Sequence, residues 1–346
     1  MSTIKNFTTL GGTATDVKVA KVAHGLMLMT WTPNHVPDEQ CFAAIRAGVD
    51  LCPPGVKMMI NSAEFYSDDI GPANLEMLSR FFEKYPEYAD KIFLSVKGGA
   101  QDHSYQPDAS PENLLRSVTA CNDALRHKKR IDLFECARVD YNTPIEDTIQ
   151  TLKALRDQGL FDHIGVSEVS AETLRRANSI YPITIVEIEV SPWSMEEETK
   201  KVLATAAELN VTVAAYAPLG RGFLTGQIKS PADIPEGDMR RQYVRFNNEE
   251  YFAHNMQLVD KLKAIAETKG VTPAQLSIAW VASLHPKLVV PLPGSSHPKR
   301  TTENTLSGDI ELSEEDKKAI WDLINNHEVK GDRYFGIGSV PLHLWA

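Results

Sequence analysis

Along the chain, short runs of β-branched and apolar residues alternate with longer segments in which apolar positions recur every three or four residues. The runs Val22–Met29, Lys57–Ile60, Ile92–Val96, Ile131–Cys136, Ile164–Ser167, Ile183–Glu189, Val211–Tyr216 and Leu288–Leu292 read as strands. Helical periodicity lies between them, as over Pro111–Arg126, Ile145–Gln158, Glu197–Leu209 and Asn255–Lys269. Cap or first-turn signals mark several starts: Ser110-Pro111, Thr143-Pro144, Ser170-Ala171-Glu172 and Thr272-Pro273. Eight strand–helix units in series, with no low-complexity linker, predict one α/β domain over 1–346, a parallel sheet closed as a (β/α)8 TIM barrel. An open doubly wound sheet would announce a dinucleotide site with G-x-G-x-x-G after its first strand. Here that strand runs on through Leu26-Met27-Leu28-Met29 to Trp31, with no such turn and no Walker-type loop. Two features exceed the plain repeat. The segment Gly220–Phe252, after the seventh strand, is long enough to be a lid or a disordered loop. An extra helix, Ser313–Asn326, and a Gly-rich tail, Lys330–Ala346, are placed to fold over the barrel mouth.

Composition narrows the classes. Of 346 residues, 42% are hydrophobic and 24% charged, which is globular, not disordered, usage. A net charge of −10 argues against a phosphate-backbone binder, and the basic run His127-Lys128-Lys129-Arg130 reads as a solvated turn. Cys41, Cys52, Cys121 and Cys136 show no C-x-x-C spacing and no clustered histidines, so no metal site is expected and the thiols fit a reducing compartment. Met1–Thr9 lacks the apolar core of a secretory signal, and no stretch approaches the ~18 apolar residues of a membrane span. The expectation is a cytoplasmic protein whose partner is a small molecule, not a nucleic acid or a membrane.

In a parallel barrel the chemistry sits at the C-terminal ends of the strands. Polar residues recur there: Asn61 and Tyr66 after the second predicted strand, Lys97 at the third, and Glu135, Arg138 and Asp140 at the fourth. Ser167 and Glu168 end the fifth, Glu187 and Glu189 the sixth and Tyr216 the seventh, while Ser295, His297 and Arg300 follow the eighth. Any one of these alone reads as a rim residue; the joint pattern points to a site.

The motifs in these positions resemble those of the aldo-keto reductase superfamily, from about Val22 to Asn304. Asn61-Ser62-Ala63-Glu64-Phe65-Tyr66 is similar to the D-T-A-x-x-Y motif of the family, and Ser95-Val96-Lys97 to the strand carrying its lysine. Ile164-Gly165-Val166-Ser167 resembles the G-V-S-N segment, and Ala215-Tyr216-Ala217-Pro218-Leu219-Gly220 the Y-S-P-L segment. Pro293 to Asn304 resembles the stretch that holds the adenosine 2′-phosphate and adenine. Within the superfamily, the runs Phe82–Pro86, Phe93–Gly99, Asp132–Asp140 and Val166–Glu172 resemble the fungal pyridoxal reductases.

The resemblance implies a barrel that reduces pyridoxal, or another aldehyde, to the alcohol with NADPH. It places Tyr66 as proton donor, with Lys97 and Asn61 beside it. The cofactor would meet Gly25, Leu26, Ser167, Glu187, Tyr216, Ala217, Pro218, Leu219, Gly220, Arg221 and Gly222. Ser295, Lys299, Arg300, Glu303 and Asn304 would hold its adenosine end, and Trp31, Ala137 and Arg138 would line the substrate pocket. The chemistry is coherent: hydride arriving at a carbonyl carbon builds charge on the oxygen, and a tyrosine whose pKa a lysine lowers can protonate it. The competing reading of Lys97 is a rim ion pair with a carboxylate such as Glu64. Two positions depart from the superfamily's Asp-Tyr-Lys-His set, Asn61 for the acid and Ala137 for the histidine. These changes leave two other expectations open: a general aldehyde or aryl-alcohol oxidoreductase, and a non-catalytic NADPH-binding subunit like the β-subunits of potassium channels.

Overall fold

The computed structural model describes residues 3–32, 36–334 and 342–346. A two-stranded antiparallel hairpin, β1 (Phe7–Thr9) and β2 (Lys18–Ala20), precedes eight parallel strands. These are β3 (His24–Gly25), β4 (Met58–Ala63), β5 (Ile92–Gly98), β6 (Leu133–Cys136), β7 (His163–Ser167), β8 (Ile185–Glu189), β9 (Thr212–Tyr216) and β10 (Val289–Leu292), paired in chain order. The first and last meet through a bridge between Gly25 and Gly294 and through Ala23 N donating to Pro291 O at 2.8 Å. The chain forms the expected (β/α)8 barrel.

The expected first strand, Val22–Met29, is cut short. It pairs only at His24–Gly25, after which Met27–Thr30 turns into a helix. Leu and Met are good helix formers with no β-branching, so once the Leu26 N–H has been given to Asn61 O at 3.1 Å the run coils. The hairpin carries no strong strand signal in sequence, yet it seals the barrel floor. Leu10, Ala14 and Val19 pack on the inward side chains Met59, Phe93, Leu133, Ile185, Ala214 and Val290.

Strand alternation sorts everything above that floor. Two residues along each strand, the inward positions become Asn61, Ser95, Glu135, Gly165, Glu187 and Tyr216. Two further on they are Lys97, Ala137, Ser167 and Glu189. An apolar floor thus carries a polar storey.

The helices cover the outside. Ser110 and Ser170 cap theirs, accepting from Asn113 N and Thr173 N, and Thr272 and Ser313 form reciprocal capping boxes with Gln275 and Asp316. Thr143 does not cap: the helix starts at Ile145, and the Thr143 hydroxyl donates to Asp140 Oδ2 at 2.9 Å. The segment after β9 folds as 3-10 turns over Gly220–Thr225, Pro231–Asp233 and Met239–Gln242, then helices Val244–Asn247 and Glu249–Lys269. The extra helix spans Glu314–Asn325. The described part of the tail turns onto the mouth, where Ser170 N donates to Ala346 O at 2.9 Å. Residues 335–341 lie outside the described residues.

Candidate active site

The barrel brings Asn61, Tyr66 and Lys97 together at the upper end of β4 and β5. Register sets Asn61 beside Ser95, Ala63 beside Lys97, and Lys97 beside Glu135. Tyr66 leaves β4 on a turn held by Thr30 Oγ1 donating to Tyr66 O at 2.7 Å, and its ring centroid lies 5.1 Å from Lys97 Nζ.

The carboxylate that meets Lys97 is Glu187, not Glu64. Lys97 Nζ lies 3.0 Å from Glu187 Oε1, and both side chains are about nineteen-twentieths buried, at 6% and 5% exposed. Lys97 also donates to Asn61 Oδ1, while Asn61 Nδ2 donates to Glu187 Oε2 at 2.6 Å. Lys97, Asn61 and Glu187 thus close a ring of contacts. Glu64 instead accepts from Arg116 at 2.7 Å and from Ser117 Oγ at 2.6 Å. Glu187, which the resemblance puts among cofactor contacts, is in this structure bonded to Lys97 and Asn61.

Burial works against the Lys97 charge, but the Glu187 carboxylate, then Tyr66 and Glu135, more than offset it and hold the ammonium above its ordinary value. Burial pushes the Tyr66 phenol up, and Lys97 pulls it down by less, so the net direction is up. Sequence reasoning expected the lysine to win. The consequence is a Tyr66 that carries its proton at neutral pH.

Glu135 lies beneath them, fully buried, with Ser95 Oγ donating to its Oε1 at 3.4 Å and no partner for Oε2 among the described residues. Burial, then the neighbouring Glu187, drive its carboxyl well above the usual range. Gly165 makes the room: a Cβ there would lie 2.9 Å from Glu135 Oε2 and 2.8 Å from Leu133 Cδ2.

On the β7–β9 side, Glu168 takes a left-handed φ of 54°, which turns its side chain onto the mouth. There it accepts from Tyr216 Oη at 2.7 Å and from Arg333 of the tail. Burial raises Glu168, but the two arginines, Arg333 and then Arg138, pull it below its ordinary value. Arg221, in the loop Ala217–Gly222, pairs with Glu189 at 2.9 Å. Ala217, Gly220, Arg221 and Gly222 all have positive φ, a tight coil of backbone at the rim.

The last predicted segment lies on the neighbouring side. Gly294 adjoins Gly25, and His24 Nε2 meets Ser295 O at 2.7 Å. The helix Pro298–Leu306 carries Lys299 and Arg300, both exposed in its first turn, with no carboxylate in ion-pair range among the described residues. Cationic side chains and free N–H groups together make such a turn attractive to a phosphate. Glu303 is engaged elsewhere, accepting from Thr272 Oγ1 at 2.8 Å. Ser167 Oγ and Asn304 Nδ2 are buried with no partner among the described residues. A ligand bearing an amide, a phosphate and an adenine would satisfy these groups.

The pocket wall is aromatic. Trp31 stacks on Tyr105 at 5.5 Å and lies 6.0 Å from Tyr66, with Phe65 edge-on to both tyrosines. Ala137 is nearly buried, and the adjacent Arg138 is held by Ala137 O, Leu342 O and Tyr334 Oη. Sequence reasoning missed Tyr105 and Arg333, which no local motif marks. It named Glu135 only among the polar strand-end residues and gave it no role, although strand alternation turns it inward with Leu133 and Ala137.

The comparisons agree with this architecture. The model of the aldo/keto reductase family matches residues 21–325. A probable pyridoxal reductase 2 of Schizosaccharomyces pombe is 34% identical over 320 residues, covering 92% of this chain and 95% of that protein. A putative pyridoxal reductase of Saccharomyces cerevisiae is 32% identical over 331 residues, covering 90% and 94%. The solved glycerol dehydrogenase of Gluconobacter oxydans superposes with a TM-score of 0.77 over 96% of this chain and 99% of its own, at 23% identity, which speaks to the fold. By its barrel and by these matches, the chain belongs to the aldo/keto reductase family.

Proposed function

We propose that this protein reduces an aldehyde to the alcohol with NADPH, and that pyridoxal is its substrate. The observation that carries the reaction type is the buried pairing of Tyr66 with Lys97 at the open end of the barrel. NADPH, when bound, supplies the hydride. The carbonyl oxygen takes its proton from the Tyr66 phenol, and the Lys97 ammonium stabilises the phenolate until solvent returns the proton. Ser167 and Asn304 offer partners for the amide and adenine of the cofactor, and Lys299 and Arg300 for its 2′-phosphate. Pyridoxal is supported by the two fungal relatives at 34% and 32% identity, and by an aromatic wall of Trp31 and Tyr105 suited to a flat ring.

Steady-state kinetics of pyridoxal beside benzaldehyde and short aliphatic aldehydes, each with NADPH and NADH, test the reading. The expected result is the highest kcat/KM for pyridoxal with NADPH. Equal values across the panel would favour a general aldehyde reductase, and no turnover of any aldehyde would overturn the proposal.

A further inference from the structure

We propose that the acidic partner of Lys97 has moved across the barrel, so that Glu187 on β8 is the positioning residue that holds the ammonium under Tyr66, while Asn61 is a neutral spacer. The inference rests on Tyr66 and Lys97 acting as described above and names a residue that governs them. Three observations carry it. The Lys97 ammonium is buried, and such a charge needs a counter-charge in contact. Asn61, next to it on β4, has no charge to give. Among the described residues Glu187 is the one carboxylate in ion-pair contact with Lys97, and Asn61 bonds to both, donating to Glu187 and accepting from Lys97.

The direction of the Asn61 amide is what makes the arrangement specific. Its oxygen faces the cation and its nitrogen faces the anion, so the amide is read correctly only with the carboxylate on β8. An aspartate at 61 beside Glu187 would set two carboxylates against each other at the present 2.6 Å. The two positions therefore exchange as a unit: acid at 187 with amide at 61, or amide at 187 with acid at 61.

The groups facing Lys97 are few. They are Glu187 from β8, Glu135 from β6, and Tyr66 and Asn61 from β4 and its turn. Glu135, whose carboxyl is driven upward by burial and by Glu187, makes no ion pair with Lys97 among the described residues. Removing the Glu187 charge leaves Lys97 buried with no carboxylate in ion-pair contact, and loss of an opposite charge at this range lowers an ammonium pKa by about 1–3. Activity that depends on the Lys97 charge then fails at a lower pH than before.

The test compares wild type, E187Q, N61D and N61D/E187Q on three readouts: kcat against pH with NADPH, NADPH affinity by fluorescence, and titration of 13Cε-labelled lysine by NMR, with K97M assigning the Lys97 signal. For E187Q the expected result is a kcat at least tenfold lower. Its alkaline limb and Lys97 titration should move to lower pH, with NADPH affinity within threefold of wild type. N61D/E187Q should return kcat to within threefold and restore both pH values. An E187Q that keeps its kcat and Lys97 titration overturns the proposal, as does an exchange variant no better than E187Q. An E187Q that loses NADPH affinity tenfold while keeping kcat also overturns it, and makes Glu187 a cofactor ligand. Should E187Q fail to fold, N61D/E187Q against N61D decides alone, the proposal requiring the double variant to be the more active and more stable. If the wild-type chain turns over no aldehyde, the proposed activity falls, but the Lys97 titration series still tests Glu187.

Discussion

Arg333 of the tail grips Glu168 with two prongs, Nη2 at 2.6 Å from Oε2 and Nη1 at 3.2 Å from Oε1, across 165 residues of sequence. Both side chains are buried, so the tail's hold on the barrel mouth is an ion pair sealed from water. It also keeps Glu168 in a backbone conformation that a residue with a Cβ avoids.

Arg333→Leu is expected to destabilise the protein by about 3–5 kcal/mol, because it strands a buried carboxylate, and Glu168→Gln/Arg333→Leu to recover most of that. Urea unfolding of the three proteins at pH 7 measures both. The pH dependence has a definite sign. Glu168 is depressed when folded, so its contribution is complete above the unfolded carboxyl value of about 4.3 and is lost as pH falls towards the folded one. Glu168→Gln should therefore flatten the acid side of the stability curve below about pH 4.3.

Tyr66→Phe removes the hydroxyl proposed above as proton donor while keeping the ring that packs near Trp31. Aldehyde reduction should be lost and NADPH affinity should stay close to wild type, as read by single-turnover kinetics and fluorescence titration. A variant retaining more than a tenth of kcat would remove Tyr66 from the role.

Arg300→Ala should lower affinity for NADPH by about 10–100-fold, the worth of charge-assisted hydrogen bonds of about 1.5–3 kcal/mol, and leave NADH untouched. The ratio of the two dissociation constants is the measurement. An unchanged ratio would place the 2′-phosphate elsewhere.

Gly165→Ala drives a methyl group into Glu135 and Leu133 at the heart of the barrel. Both contacts come from packed neighbours, so the variant should lose about 1–3 kcal/mol by urea unfolding. Glu135→Ala in the same chain should relieve part of the loss.

The barrel was legible because each strand is short, β-branched and followed by an amphipathic helix, a pattern few folds share. Its first strand was not. Leu26 to Met29 is as apolar as a strand, and only the contact of Leu26 N with Asn61 O, made in three dimensions, shows the chain leaving the sheet. The hairpin Phe7–Ala20 hid for a similar reason, since Phe7, Thr9 and Lys18 face solvent while Leu10, Ala14 and Val19 serve as a floor. At the site, Tyr66 and Lys97 stood out by type and position. Their relation to Glu187 did not, because β8 meets β4 and β5 only across the lumen and is three strands further along the chain from β5. The direction of the Tyr66 shift was misjudged too, for burial cannot be weighed against one lysine until the packing is known.

The hairpin under the barrel makes the protein a one-ended vessel. With Leu10, Ala14 and Val19 stoppering the floor, the proposed cofactor and substrate would come and go by the same doorway, and Ala346 and Arg333 are fastened to its frame. Two molecules that share one exit cannot pass each other there. Under the proposed function, the order in which they queue and the ease with which the tail lets go of Glu168 and Ser170 would bear on turnover beside the proton on Tyr66.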